Sequence, residues 1–257
     1  MLVDTHAHLW WPSFESDLDE VLVRAKKAGV EKLIVPGTDV ASSKEAVELA
    51  KKYPGVIYAA VGVHPEDVLN SNKVRPSLAD ASGWALPSRS DLEAAVAIGE
   101  IGTDESTEEL KNCIEEQKKL FRIQCEMALE YDLPVIIHTR NSLDTALEVL
   151  DKLPQMPRGQ FHCFSHDEAG VAQVVERGFY ISFCGNINWS KRVAKLVPLV
   201  NADRLLIETD SPFMQPGKRN EPAYVYDLAL KIAEIRGLRF DEVAKITTEN
   251  AKRLFEL

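Results

Sequence analysis

Eight short apolar runs rich in β-branched residues punctuate this chain, and longer amphipathic stretches separate nearly all of them. The runs are Leu2–His6, Lys32–Pro36, Val56–Val63, Ala95–Ile101, Val135–Thr139, Gln160–Phe164, Phe179–Phe183 and Arg204–Thr209. Helical spacing is predicted near 14–28, 41–53, 108–131, 142–153, 168–177 and 190–200, then near 222–236 and 240–256 after the last run. The best-patterned helix sets Leu110, Ile114, Gln117, Phe121, Gln124 and Ala128 three and four residues apart. Strands that alternate with helices read as parallel βα units. Eight such units in 257 residues close most simply into an α/β fold, a (β/α)8 TIM barrel with an additional C-terminal helix. An open doubly wound sheet is the alternative, but no Gly-x-Gly-x-x-Gly follows the first strand to support its dinucleotide-binding form. One domain over 1–257 is expected, with residues 70–91, rich in Ser, Pro, Ala and Asp, as an inserted loop at the catalytic face.

The six histidines do not scatter over this pattern. His6, His8, His64, His138, His162 and His166 each fall at the carboxyl end of a predicted strand or in the loop after it. Active sites of such barrels form at that end. Side chains alternate along a strand, so His6 and His8 share a face on which both can hold one metal ion. Asp4 has the same parity, one step deeper, where a carboxylate can orient imidazoles. The competing reading is that these histidines pack in a core.

Two carboxylates complete the set. Glu100 ends the fourth strand in Gly99-Glu100-Ile101-Gly102, and Asp210 ends the eighth in Glu208-Thr209-Asp210-Ser211-Pro212. Their structural alternatives are a Glu100–Arg140 pair and a turn cap at Asp210. Glu208 lies deeper than Asp210 on the same face and reads as an outer partner. Imidazole and carboxylate without thiolate suit Zn, Mn or Mg alike. Two such ions about 3.5–4 Å apart clamp the attacking and leaving oxygens of a displacement, which is hydrolase chemistry.

Composition narrows the class. The formal net charge of −10 disfavours a passive nucleic-acid coat, though site-bound cations would supply local positive charge. No apolar run reaches the roughly 18 residues of a membrane span, and the charged strand that starts at once leaves no room for a signal peptide. A cytoplasmic location is therefore expected. Cys113, Cys125, Cys163 and Cys184 contain no Cys-x-x-Cys pair. Cys113 and Cys125 are expected on one helix, about 18 Å apart, beyond disulfide reach.

Asp4-Thr-His-Ala-His-Leu, Gly62-Val-His-Pro, Gly99-Glu-Ile-Gly, His138-Thr-Arg, His162-Cys-Phe-Ser and Glu208-Thr-Asp-Ser-Pro resemble, in order, the successive motifs of the TatD family. Gly217-Lys-Arg-Asn-Glu-Pro and Thr248-Glu-Asn-Ala-Lys-Arg-Leu-Phe extend the resemblance over essentially the whole chain. It implies a metal-dependent deoxyribonuclease on an amidohydrolase-like barrel. It further implies two divalent ions (Mg, Mn or Zn), one on His6, His8, Glu100 and Asp210, the other on Glu100, His138 and His162, with Glu100 bridging. His64 and Arg140 would face the scissile phosphate, and Asp210 would take a proton from the attacking water. Three features depart from the family pattern: Thr103 in place of Leu, His166 in place of Gly, and a shorter loop after Pro212. His166 reads equally as a phosphate contact or a helix-start residue.

All four tryptophans, Trp10, Trp11, Trp84 and Trp189, follow strands and so would line the mouth. Bases stacked on such rings are gripped without sequence preference; the competing role is anchoring loops to the rim. Lys218 and Arg219 are further phosphate-contact candidates, with Trp84 and His166 beside them. The expected activity is hydrolysis of DNA phosphodiesters, exonuclease-like and favouring single-stranded ends, with no membrane and no stable protein partner. A dinuclear hydrolase of a small ester, amide, phosphotriester or aminoacyl ester is the alternative.

Overall fold

The computed structural model describes residues 1–70 and 84–257. Eight parallel strands follow one another around a ring: β1 (Leu2–Asp4), β2 (Val30–Pro36), β3 (Ile57–Val61), β4 (Ala97–Asp104), β5 (Val135–Arg140), β6 (Gly159–Phe161), β7 (Tyr180–Phe183) and β8 (Leu205–Ile207). The last gap closes through three backbone hydrogen bonds and no strand ladder. Thr5 N–H donates to Ile207 O at 3.2 Å, Asp210 N–H to His6 O at 2.8 Å, and His8 N–H to Ser211 O at 2.7 Å. The (β/α)8 expectation holds.

Helices fill the crossovers: α1 (Leu18–Lys27), α2 (Val40–Lys52), α3 (Arg89–Ala94), α4 (Glu108–Asn112), α5 (Ile114–Glu130), α6 (Leu143–Leu150), α7 (Glu168–Glu176) and α8 (Lys191–Ala194). Two more, α9 (Val225–Arg236) and α10 (Phe240–Phe255), follow β8. Strand residues of one parity, including Leu33, Val35, Ala59, Val61, Ile137 and Ile207, pack outward on helix residues such as Val47, Phe121 and Leu228. Those of the other parity, Val3, Ile34, Ala60, Ala97, Ile136 and Leu206, meet inside the barrel and pack on Ala251, Leu254 and Phe255 of α10. The C-terminal helix thus closes the lower end. Above this apolar floor lies a buried polar layer of Thr5, Gln160, Ser182 and Glu208. There the Ser182 hydroxyl donates to Glu208 Oε2 at 2.6 Å and Gln160 Nε2 donates to Thr5 O at 3.3 Å.

Some predicted helices are shorter than their periodicity suggests. The stretch over 108–131 breaks at Cys113, which ends α4 and begins α5, so Cys113 and Cys125 do not share a helix body. Gln117 accounts for the break, because its Nε2 donates to both Leu110 O and Asp104 O and draws the chain inward. The stretch over 190–200 stops at Ala194 and resumes as a 3-10 turn over Val197–Leu199, where Pro198 has no N–H to continue a helix. Of the inserted segment 70–91, residues 71–83 lie outside the described residues, and Arg89 already begins α3. No helix among the described residues is long and apolar enough to cross a membrane.

Candidate active site

The upper rim of the barrel gathers six side chains from five strand ends: His6 and His8 after β1, Glu100 on β4, His138 on β5, His162 after β6 and Asp210 after β8. Local sequence fixes each approach. Gly102 has φ +146°, and a Cβ there would stand 2.0 Å from His138 O, so only glycine lets β4 lie close enough to β5. A register shift between Ile98 and Ile101 turns Glu100 into the site. Asp210 takes a left-handed backbone, φ 56°, which Asp tolerates better than most residues, and its N–H is tied to His6 O.

Glu100 divides the cluster. Its Oε2 lies 3.2 Å from His6 Nε2 and 3.5 Å from His8 Nε2. Those two nitrogens are 3.1 Å apart, and Asp210 Oδ1 stands 3.8 and 3.4 Å from them. The other oxygen, Oε1, lies 2.9 Å from His138 Nδ1 and 2.8 Å from His162 Nε2, which are 3.2 Å from each other. Ligand atoms around one tetrahedral zinc with bonds of about 2.1 Å stand about 3.4 Å apart. Both sets have that spacing. Buried His6 and His8 make no hydrogen bond at Nδ1 among the described residues, so their polar engagement runs through Nε2, the atom aimed at the cluster. The donor set therefore fits divalent cations.

Outer partners fix which ring nitrogen is free. His138 Nε2 meets Asp104 Oδ2 at 3.0 Å, which keeps the ring proton there and leaves the Nδ1 lone pair facing Glu100. Glu208 Oε1 stands 3.3 Å from His162 Nδ1, an ion-pair distance without a hydrogen bond. At His64 the order reverses. Its Nδ1 accepts the Glu66 N–H at 3.2 Å, so a neutral ring carries its proton on Nε2, 3.4 Å from Glu100 Oε1. His64 thus presents an N–H where His138 presents a lone pair.

Asp4 departs from the expected geometry. Its Oδ1 accepts the His6 and Thr209 N–H groups at 3.2 and 2.9 Å, and its Oδ2 meets Thr209 Oγ1 at 2.6 Å. It stitches β1 to the end of β8 and touches no imidazole, because the chain leaves regular strand geometry after Asp4. Asp104, which strand reasoning passed over, does the orienting instead. Its signal was the parity Glu100, Gly102, Asp104, which becomes visible once β4 is extended beyond Ile101.

The charges are strongly coupled. Burial opposes ionisation of Glu100, yet the His162, His6 and His64 rings hold its carboxyl well below the usual value. Burial likewise opposes the charge on Asp210, but a hydrogen bond to His8 and the nearby His6 keep it ionised. Against burial, the Glu100 carboxylate pushes His162 well up. At Asp104, burial is outweighed by the His138 and Ser106 hydrogen bonds, and the pKa falls to about 2.

A cavity of ≈ 430 Å³ opens over the cluster, and Arg140, His64, Trp11, Phe213, Glu66 and Asp67 line it. Arg140 does not pair with Glu100, whose near neighbours are histidines. The remaining substrate-contact candidates lie elsewhere. Arg219 forms a two-point pair with Asp17 at 2.7 and 2.6 Å, and Lys218 donates to the Tyr224 hydroxyl at 2.8 Å over that ring. Trp84 packs on Val63, Val68 and Leu120, and so anchors the chain. His166 Nε2 is 2.9 Å from Thr139 Oγ1, just ahead of the Asp167 cap of α7, which favours its helix-start reading. A larger groove of ≈ 670 Å³ between α1 and α2 contains no histidine.

The motif resemblance has independent support. A family model described as TatD related DNase matches residues 3–256. The chain is 39% identical over 264 residues to the uncharacterised metal-dependent hydrolase YabD of Bacillus subtilis, with all of both chains covered. It is 33% identical to the 3'-5' ssDNA/RNA exonuclease TatD of Salmonella typhimurium, over 100% of this chain and 99% of that one. The crystal structure of YjjV, a TatD homologue from Escherichia coli, matches with a TM-score of 0.85 at 29% identity, covering 100% and 98% of the two chains. Motif order, barrel and relatives agree, and this chain belongs to the TatD family.

Proposed function

We propose that the protein is a metal-dependent hydrolase that cleaves phosphodiester bonds at the ends of nucleic acid strands, with single-stranded DNA as the favoured substrate. The observation that carries this reading is Glu100, whose two oxygens each face a separate set of ligand atoms at metal-shell spacing. His6, His8, Glu100 and Asp210 would hold one divalent ion, and Glu100, His138 and His162 the other. Such a pair, when bound, polarises a phosphoryl oxygen and lowers the pKa of water. The side chains supply the rest. Asp210, kept ionised by His8 and His6, accepts the proton of the attacking water at its carboxylate. His64 donates from Nε2 to a phosphate oxygen, and Arg140, which has no carboxylate partner among the described residues, neutralises charge on the same group. The names of the exonuclease relatives support the substrate class. A cytoplasmic setting belongs to the same reading.

The small-ester reading keeps one specific support: Lys218 and Arg219, expected at the phosphate, are engaged away from the cavity. Metal-stripped protein incubated with an end-labelled single-stranded oligonucleotide, with Mg, Mn or Zn returned singly, separates the two. The expected result is a ladder that shortens from one end and is absent in Glu100→Gln. No cleavage with any metal, alongside turnover of a nitrophenyl ester, would transfer the assignment to small esters.

A further inference from the structure

Trp10 and Trp11 are adjacent and differ in what they do. The Trp10 indole N–H donates to Pro36 O at 2.7 Å and its ring packs on the core, so it anchors the loop after β1. The Trp11 indole makes no hydrogen bond among the described residues, and 38% of the residue is exposed at the cavity. Phe213, 41% exposed, comes from the loop after β8 and meets Trp11 edge to face, with centroids 5.0 Å apart. The Phe213 ring also lies 5.9 Å from that of His8, so the pair begins at the metal-facing cluster itself.

Neither ring hangs on loose backbone. Pro12 follows Trp11 and restricts it to its extended conformation, φ −62° and ψ 138°. The Phe213 N–H donates back to Asp210 O at 2.9 Å in a tight turn. Large apolar rings held in water beside a polar site forgo burial, and such patches mark binding surfaces. Among the described residues, the remaining walls of the cavity carry one cation, Arg140, and the Glu66 carboxylate. One cation suits one phosphate. The Glu66 charge opposes a second phosphate beside it and leaves the aromatic wall for an uncharged flat group.

We propose that Trp11 and Phe213 form a shelf on which the base of the terminal nucleotide stacks while its phosphate lies between Arg140 and the Glu100 cluster. This inference rests on the phosphodiester reading and deepens it: the ligand is a base-bearing strand end, and the shelf recognises the ring without reading its edges. Stacking of this kind tolerates every base.

Two measurements test it. In the first, metal-loaded protein degrades two single-stranded oligonucleotides that differ only in whether the terminal nucleotide carries a base or is abasic. Wild type is expected to prefer the base-bearing end about ten- to a hundredfold in kcat/KM. Trp11→Ala and Phe213→Ala should shrink that preference, mainly through KM, with unchanged metal content and melting temperature, while Trp11→Phe keeps most of it. In the second, metal-free protein is titrated with thymidine 5'-monophosphate and tryptophan emission is followed. Saturable quenching is expected, kept by Trp189→Phe and lost in Trp11→Phe, where the reporter is gone. Cleavage without base preference, or alanine variants that retain the preference, would overturn the shelf and leave the nuclease reading standing. Quenching without cleavage of either oligonucleotide would support the shelf and remove the nuclease reading; absence of quenching would overturn the shelf.

Discussion

Asp4 offers a sharp test of how the ring closes. Its Oδ1 accepts two backbone N–H groups, from His6 and Thr209. Its Oδ2 faces Thr209 Oγ1, which also lies 3.0 Å from Ser211 Oγ and accepts the Ser211 N–H at 3.2 Å. Burial, working against the Thr209 hydrogen bonds, pushes the Asp4 pKa up to about 8. In the protonated form the Oδ2···Oγ1 contact carries the carboxyl proton to Thr209, whose own hydroxyl then turns to Ser211 Oγ. Asparagine reproduces the pattern, with its oxygen accepting both N–H groups and its amide donating to Thr209. Alanine loses all three bonds and strands two buried N–H groups, each costing about 1–3 kcal/mol. Asp4→Ala should therefore cost about 3–6 kcal/mol, a fall of roughly 10 °C in Tm, whereas Asp4→Asn stays near wild type. An acid whose folded pKa is raised contributes stability that is whole below its unfolded pKa and fades as pH climbs through the folded one. Asp4→Asn should thus gain on wild type as denaturant melts move from about pH 5 to about pH 8. Asparagine as damaging as alanine, or losing ground with rising pH, would show that the carboxylate is ionised and refute the argument.

Removing Asp104 frees His138 Nε2, so Asp104→Ala should weaken metal binding at the His138–His162 set about 10–100-fold. Titration of metal-stripped protein reads this directly, and unchanged affinity would deny Asp104 an orienting role. Gly102→Ala places a methyl against His138 O on a backbone few side chains adopt, and should destabilise by about 3 kcal/mol or more. Urea unfolding measures it; a midpoint like that of wild type would mean that β4 and β5 can separate freely.

Much of this architecture was legible in the sequence because two periodicities write it. The strands announce themselves as apolar runs, and the candidate ligands stand at or just past their carboxyl ends. His6, His8, Glu100, His138, His162 and Asp210 all converge there, although a register shift turns Glu100 inward and a left-handed residue sets Asp210, neither of which parity foretells. What escaped depends on long-range geometry. Asp4 has the right parity but sits where β1 gives way to irregular chain, and its carboxyl turns to β8. Lys218 and Arg219 are basic residues in a loop after β8, and nothing local says that Tyr224 and Asp17 will take them. Cys163 and Cys184, 21 positions apart, come within 2.7 Å at their sulfurs because β6 and β7 are neighbours, a closeness no spacing rule reveals. Phe213 lies in a turn without periodicity, and only its position against Trp11 gives it meaning.

The floor made by α10 has a consequence for traffic. Leu254 and Phe255 seal the barrel against Val3, Ile34 and Leu206, so among the described residues the cluster opens on the opposite side, through the cavity over it. On the proposed function, a strand cannot be threaded through the ring as through a clamp, and a strand end that enters the mouth would leave by the same side. Entry and exit would then compete for one passage, and the released nucleotide would act as a competitive inhibitor of the next strand end.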